Sequence, residues 1–295
     1  MKAKLQVIIS MLVFGSISIV VRKIDLPSGT IALLRGLIGS IFLYSYCIIT
    51  KKRISYDLIK ENLLFLLLSG ASMGFNWIFL FQSYKNTTVS NATLTYYFAP
   101  TIVILLSPIV LKEKLNFKKF LCVLIAVIGL FMIVNTESSS GGTYNHPLGI
   151  SYGLIAAVLY AAVIILNKFF KKISGLEATI VQLACSALVL AIYVLLVERP
   201  NVTSFKPEFI SYILILGIVY TGITYSLYFT GMQELTGQTI AMLSYIDPIS
   251  AVIISALFLN ESITLVQVLG GVLILGSGFI TEKMKDVENK GAIIQ

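Results

Sequence analysis

Ten runs of roughly twenty apolar residues fill most of the chain, and nothing else in it narrows the possible folds so far. They cover 5–21, 29–49, 63–84, 89–111, 117–134, 148–166, 178–197, 210–232, 238–259 and 265–280. A helix needs about 20 residues to cross the hydrocarbon layer of a bilayer, and within that layer every backbone N–H and C=O must be paired inside the protein. Continuous apolar runs meet that demand as helices. Hydrophobic residues make up 57% of the 295 and mean hydropathy is +0.91, which excludes an ordinary soluble enzyme. The pattern predicts an all-α membrane protein of ten transmembrane helices, with no connection long enough for a soluble domain.

The formal net charge of +8 would suit a nucleic-acid binder, but the charges follow membrane sidedness instead. With the N-terminus inside, sixteen Lys and Arg fall on the inner face, among them Lys51, Lys52, Arg53, Lys168, Lys171 and Lys172. Five fall on the outer face: Arg22, Lys23, Lys85, Arg199 and Lys206. This asymmetry predicts a plasma-membrane protein with both termini cytoplasmic, an even number of spans and no nucleic-acid partner. Cys47, Cys122 and Cys185 lie in three separate apolar runs, a spacing that indicates neither a disulfide framework nor a metal site, and no cofactor is expected. Lys2 and Lys4 before an apolar run resemble the start of a signal peptide, yet the run ends at Arg22-Lys23 without a small-residue cleavage site and is kept as the first span.

Shifting the sequence by 148 positions brings its halves into register without a gap: Gly74 meets Gly222, Phe81 meets Phe229, Tyr97 meets Tyr245, Pro100 meets Pro248, Ser107 meets Ser255 and Glu113 meets Glu261. Residues 1–142 and 143–295 each hold five spans, joined through a linker at 136–147 that is rich in Ser and Gly. Five is odd, so the second half enters the membrane from the opposite face. Two inverted five-helix repeats around a central cavity are expected, with the site at mid-membrane between them.

Within the ninth span, Ser244-Tyr245-Ile246-Asp247-Pro248 stands out. Asp at the centre of a membrane helix costs roughly 2.5–3.5 kcal/mol on insertion scales, so it needs a reason to be there. Pro248 lacks an N–H and frees the Ser244 carbonyl four residues back. A carboxylate and a free carbonyl then share one depth, which suits a substrate or coupling ion as well as it suits a structural kink. The fourth span is its mate, with Tyr96, Tyr97 and Pro100, but carries Ala99 where the ninth has Asp247. The halves share the bend and differ in the charge.

Other candidates follow from helical spacing. Asn76 and Trp77 stand out on the third span, beside serines that helix packing explains. Thr221, Thr224, Tyr225 and Tyr228 form a polar, aromatic face well inside the eighth, and Tyr160 and Asn167 are secondary candidates on the sixth. Arg35 lies about six residues, or roughly 9 Å, below the outer surface, where it can either snorkel to the interface or face a substrate carboxylate. The seventh span, almost featureless apart from Gln182 and Ser186, reads as packing or lipid-facing, and the glycine-rich tenth as a packed support with a homodimer contact as one use.

The bends at Pro100 and Pro248, the closing Glu113 and Glu261, Arg35 near the start of the second span and the glycine-rich fifth and tenth spans together resemble the EamA-type transporters of the drug/metabolite transporter superfamily. The resemblance covers the whole chain and implies a carrier for amino acids, nucleotide-sugar-like metabolites, cofactors, choline-like cations or drugs, with a cavity lined mainly by spans 1, 3, 4, 6, 8 and 9. It does not by itself assign Asp247. The function expected is secondary active transport of a small polar metabolite, an amino acid or related amine, by alternating access with proton coupling or exchange. A carrier of choline-like cations or drugs is the alternative, and a channel or structural membrane protein the rival of another class. An intramembrane enzyme does not fit, since the spans hold no histidine and one aspartate.

Overall fold

A computed structural model describes residues 2–52, 54–112, 116–134, 144–199, 206–232, 234–235 and 237–293; Glu113 and the linker stretch 136–143 lie outside the described residues. The regular elements among the described residues are all helices, with no strand among them. In chain order the helices are α1 Lys2–Gly15, α2 Ile17–Arg22, α3 Ser28–Ile49, α4 Tyr56–Glu61, α5 Leu63–Asn86, α6 Val89–Tyr96, α7 Ala99–Val110 and α8 Phe117–Val134. They continue as α9 His146–Asn167, α10 Gly175–Tyr193, α11 Pro207–Leu214, α12 Thr224–Met232, α13 Gly237–Ser244, α14 Ile246–Phe258 and α15 Leu265–Ile293. Wider π-helical turns extend α10 over Val194–Glu198 and join α11 to α12 over Ile215–Ile223.

Among the described residues, eight helical stretches are long and apolar enough to cross a bilayer: Lys2–Arg22, Ser28–Ile49, Leu63–Asn86, Val89–Val110, Phe117–Val134, His146–Asn167, Gly175–Glu198 and Pro207–Met232. Ile246–Phe258 and Leu265–Thr281 are shorter apolar helices. The ninth expected run is therefore two helices, α13 and α14, rather than one bent rod. Their break falls at Tyr245, and the break between α6 and α7 falls at Tyr97-Phe98, the position reached by the 148-residue offset. Pro100 and Pro248 occupy the first turns of α7 and α14, where backbone N–H groups have no intrahelical acceptor, so each proline starts a new helix segment at little cost.

Large side chains such as Leu5, Ile41, Ile109, Phe131, Leu195 and Leu257 point outward around the bundle, the apolar belt a bilayer requires. The interior is partly polar. Ser10, Ser69, Ser83, Asn91, Thr95, Thr221 and Gln267 are almost wholly buried and turn their hydroxyls or amides onto backbone carbonyls or one another. Helices approach closely where a side chain is missing. A Cβ on Gly39 of α3 would stand 2.4 Å from the Thr221 methyl, and one on Gly129 of α8 would stand 2.6 Å from the Gly270 carbonyl of α15.

One end of the bundle gathers Arg22, Gly29, Thr30, Lys85, Thr87, His146, Glu198 and Glu261. There Glu198 accepts the Gly29 and Thr30 backbone N–H groups at 2.7 and 2.8 Å, capping α3, and the Lys85 ammonium reaches the Leu26 carbonyl. At the opposite end, lysine-rich by sequence, Asn62 donates to the Lys171 carbonyl and accepts from its N–H, and Glu177 accepts the Ser55 N–H.

Candidate functional site

A cavity of about 660 Å³ lies inside the bundle, within the usual size of small-molecule sites. Its wall is drawn from α1, α2, α3, α5, α6, α9, α10, α12, α13 and α14, and it extends to Phe170, Ile173, Gly175 and Met232 at the lysine-rich end. Towards the other end the lining stops at Ile17, Leu80 and Tyr84.

Asp247 stands in the first turn of α14, so the positive end of a half-helix faces its carboxylate at depth and offsets part of the cost of burying it. Its Oδ2 accepts the Tyr97 hydroxyl at 2.6 Å. The two repeat-related positions thus do different work: Tyr97 holds the carboxylate, while Tyr245 turns away to pack edge-on against Phe279 with its hydroxyl beside Gly278 of α15, and it is not part of the cavity wall. Ser244 does line the cavity, its hydroxyl turned onto the Ile240 carbonyl.

Arg35 is buried at 4% exposure rather than snorkelling outward, and it forms part of the wall. Its guanidinium lies over the Trp77 ring at 4.3 Å, and its Nε donates to Thr221 Oγ1 at 2.9 Å. Thr221 spends its own proton on the Leu216 carbonyl five residues back, as the wide π turn allows, so its oxygen is fixed as an acceptor for Arg35. Thr221 accordingly positions Arg35 from behind and does not itself line the cavity. Thr224 is also outside it, with its hydroxyl on the Val219 carbonyl and its carbonyl accepting from Ser10.

The remaining candidates meet in one space. Tyr96 stacks on Tyr160 at 5.1 Å, Tyr225 meets Phe14 edge-on at 5.2 Å, and Tyr228 lines the same wall. Asn76, part of the cavity wall, donates to the Ala156 carbonyl at 2.6 Å and ties α5 to α9. The seventh run needs correction: Ala178, Thr179 and Gln182 of α10 face the cavity, and Gln182 donates to Ser69 and Asn167 at 2.8 and 2.7 Å. The Gln182 amide, with Thr179 and Ser186 close to it in a mostly apolar run, was the available signal. Met11, Leu80 and Phe229 were missed because an apolar cavity wall and an apolar core look alike in sequence.

Beyond Tyr84, past the last residues of the lining, lies a clamp. Arg22 pairs with Glu261 at 2.6 Å, donates from Nε to the Tyr84 carbonyl at 2.9 Å and from Nη2 to the Thr87 carbonyl at 2.6 Å. Glu261 also accepts the Val89 N–H at the start of α6, at 3.0 and 2.9 Å to its two oxygens. Glu261 therefore meets both backbone and a basic group, as its place at the end of a span suggests. The corner between α5 and α6, the end of α2 and the turn after α14 are joined by these bonds.

Against known proteins, a model of the EamA-like transporter family matches residues 1–135 and 147–281. The chain belongs to the EamA-like transporter family. Members of this family are transporters, not enzymes, so this EamA-like chain is a multi-pass membrane transporter that meets a small-molecule substrate and lipid. It is similar to an uncharacterized transporter, YxxF, of Bacillus subtilis (strain 168), at 28% identity over 95% of this chain and 89% of that one. An uncharacterized transporter of Archaeoglobus fulgidus is 27% identical over 93% of this chain and 94% of its own length. A solved crystal structure shares the fold at a TM-score of 0.62 and 18% identity, covering 94% of this chain and 96% of that one.

Proposed function

We propose that this EamA-like protein is a secondary active transporter that carries a small polar metabolite, an amino acid or related amine, across the plasma membrane by alternating access. Ten spans in two inverted repeats, 1–142 and 143–295, would rock about the interruptions at Tyr97 and Tyr245, with both termini in the cytoplasm. The observation that carries this is Asp247 in a cavity whose lining reaches one end of the bundle and stops short of the Arg22–Glu261 clamp at the other. Asp247 either takes up a coupling proton or pairs with a substrate ammonium during exchange, and Tyr97 keeps it oriented for both. The tyrosine-rich wall also favours a second reading, a carrier of organic cations held over ring faces, each contact worth roughly 0.5–2 kcal/mol.

Counter-flow into proteoliposomes, screened over amino acids, amines and nucleosides, tests the carrier against a channel or a structural protein. A carrier gives saturable uptake driven by preloaded unlabelled compound, and Asp247→Asn reduces it at least tenfold or uncouples it from pH. Uptake without saturation or counter-flow points to a channel, and equal uptake by wild type and Asp247→Asn removes the carboxylate from the mechanism.

A further inference from the structure

Arg35 offers something the transport reading does not yet use. A guanidinium has five N–H donors in a rigid planar fork. Only the Nε–H of Arg35 finds an acceptor among the described residues, Thr221, and no carboxylate among them pairs with the charge. Its four Nη–H donors remain, on a residue that is 4% exposed and forms part of the cavity wall. Trp77 stabilises the cation from below but accepts no in-plane hydrogen bond, so it leaves the fork intact. The position is built rather than accidental. Gly39 lets α3 approach the π turn that carries Thr221, and the Thr221 hydroxyl is committed to Leu216, which fixes the direction of the Arg35 Nε.

The opposite pole is similarly half-used. Asp247 receives Tyr97 on Oδ2, while its Oδ1 accepts nothing among the described residues, and the two charges make no ion pair with each other. A plain amine or a quaternary ammonium would satisfy Asp247 and leave Arg35 with an uncompensated charge in the same cavity. A carboxylate suits Arg35, since its two oxygens can accept both Nη donors side by side.

We propose that Arg35 is the anion-binding pole of the cavity and that the ligand is a zwitterion, its carboxylate on the Arg35 fork and its ammonium on Asp247. This rests on the carrier reading for its biological meaning but concerns binding alone. It decides between the amino-acid and organic-cation alternatives in favour of the former, and it makes Thr221 a positioning residue and Arg35 a specificity-determining one.

Trp77 is the sole tryptophan and lies against the guanidinium, so its emission reports the pole directly. Purified protein in nanodiscs is titrated with each common non-aromatic amino acid, and every responder is compared with its carboxamide and its decarboxylated amine. At least one amino acid is expected to shift the emission saturably, with both analogues weaker by about ten- to a hundredfold, the weight of a charge-assisted pair. Arg35→Gln should erase that preference while amine binding survives; Arg35→Lys, which keeps the charge but not the fork, should retain part of it. Wild-type protein that binds amide or amine as tightly as the acid, or answers to no amino acid, overturns the proposal, and neither result depends on whether the variants fold. Counter-flow without preference for the acid sinks the zwitterion and spares the carrier, whereas acid-selective emission changes without counter-flow do the reverse.

Discussion

At one end of the bundle Arg22 and Glu261 stand 2.6 Å apart with side chains 15% and 4% exposed, and each also bonds to the backbone, Arg22 to the Tyr84 and Thr87 carbonyls and Glu261 to the Val89 N–H. At the other, Lys171 and Glu61 stand 3.8 Å apart with side chains 69% and 49% exposed. Both are ion pairs between helix ends, yet only the first can hold a closure. An exposed pair gives up much of its attraction to solvent and salt, and typically contributes about 0–1 kcal/mol. A buried pair with satisfied surroundings resists separation, because parting its members leaves a charge without a partner. The repeat sharpens the contrast: the 148-residue offset pairs Glu261 with Glu113 but Arg22 with Phe170, which lines the cavity mouth. The doubled sequence pattern thus keeps the carboxylate position in both halves and the arginine in one.

The largest effect is expected from Glu261→Gln, which strands Arg22 and should cost the closed end about 3–5 kcal/mol. In a protein without Cys47, Cys122 and Cys185, a thiol placed by Leu80→Cys at the clamp-side limit of the cavity should then react with an impermeant maleimide from the clamp side at least tenfold faster. Unchanged labelling would mean that the pair is not what closes this end. A middling effect is expected from Glu198→Ala, which uncaps α3 at the same end without touching the clamp. It should lower stability by about 0.5–2 kcal/mol, seen as earlier thermal unfolding in detergent, with Leu80→Cys labelling unchanged. The smallest belongs to Glu61→Gln, expected to stay within about 0.5 kcal/mol and to alter neither readout. A shift as large as that of Glu261→Gln would erase the distinction between the two ends.

Much of the architecture is local and could be read early. The helical stretches follow the apolar runs to within a few residues, as Leu63–Asn86 and Phe117–Val134 illustrate, because the bilayer sets length and polarity segment by segment. The ninth run departs from this. Its bend became a break between α13 and α14, since a proline in a first helical turn is cheaper than one inside a continuous helix. The short α4 escaped notice for want of a long apolar pattern, and the π turns because their residues read as ordinary helix.

The site was readable only in part. Asp247, Trp77, Asn76, Tyr96, Tyr97, Tyr225, Tyr228, Ser244 and Arg35 share one cavity, and each carried a signal, a polar or amphipathic group where lipid would reject it. Tyr245, Thr221 and Thr224 carried the same signal and point elsewhere. Spacing gives the face of a helix but not what that face meets.

Residue order alone was enough for an all-helical membrane chain, a lysine-rich face, a doubled pattern at 148 residues and one acidic group at depth, because hydropathy and charge act along the chain. How each helix is rotated about its axis is settled by packing between distant segments. Packing therefore brought Thr221 to Arg35, Tyr97 to Asp247 and Glu261 to Arg22, contacts that join residues 186, 150 and 239 positions apart.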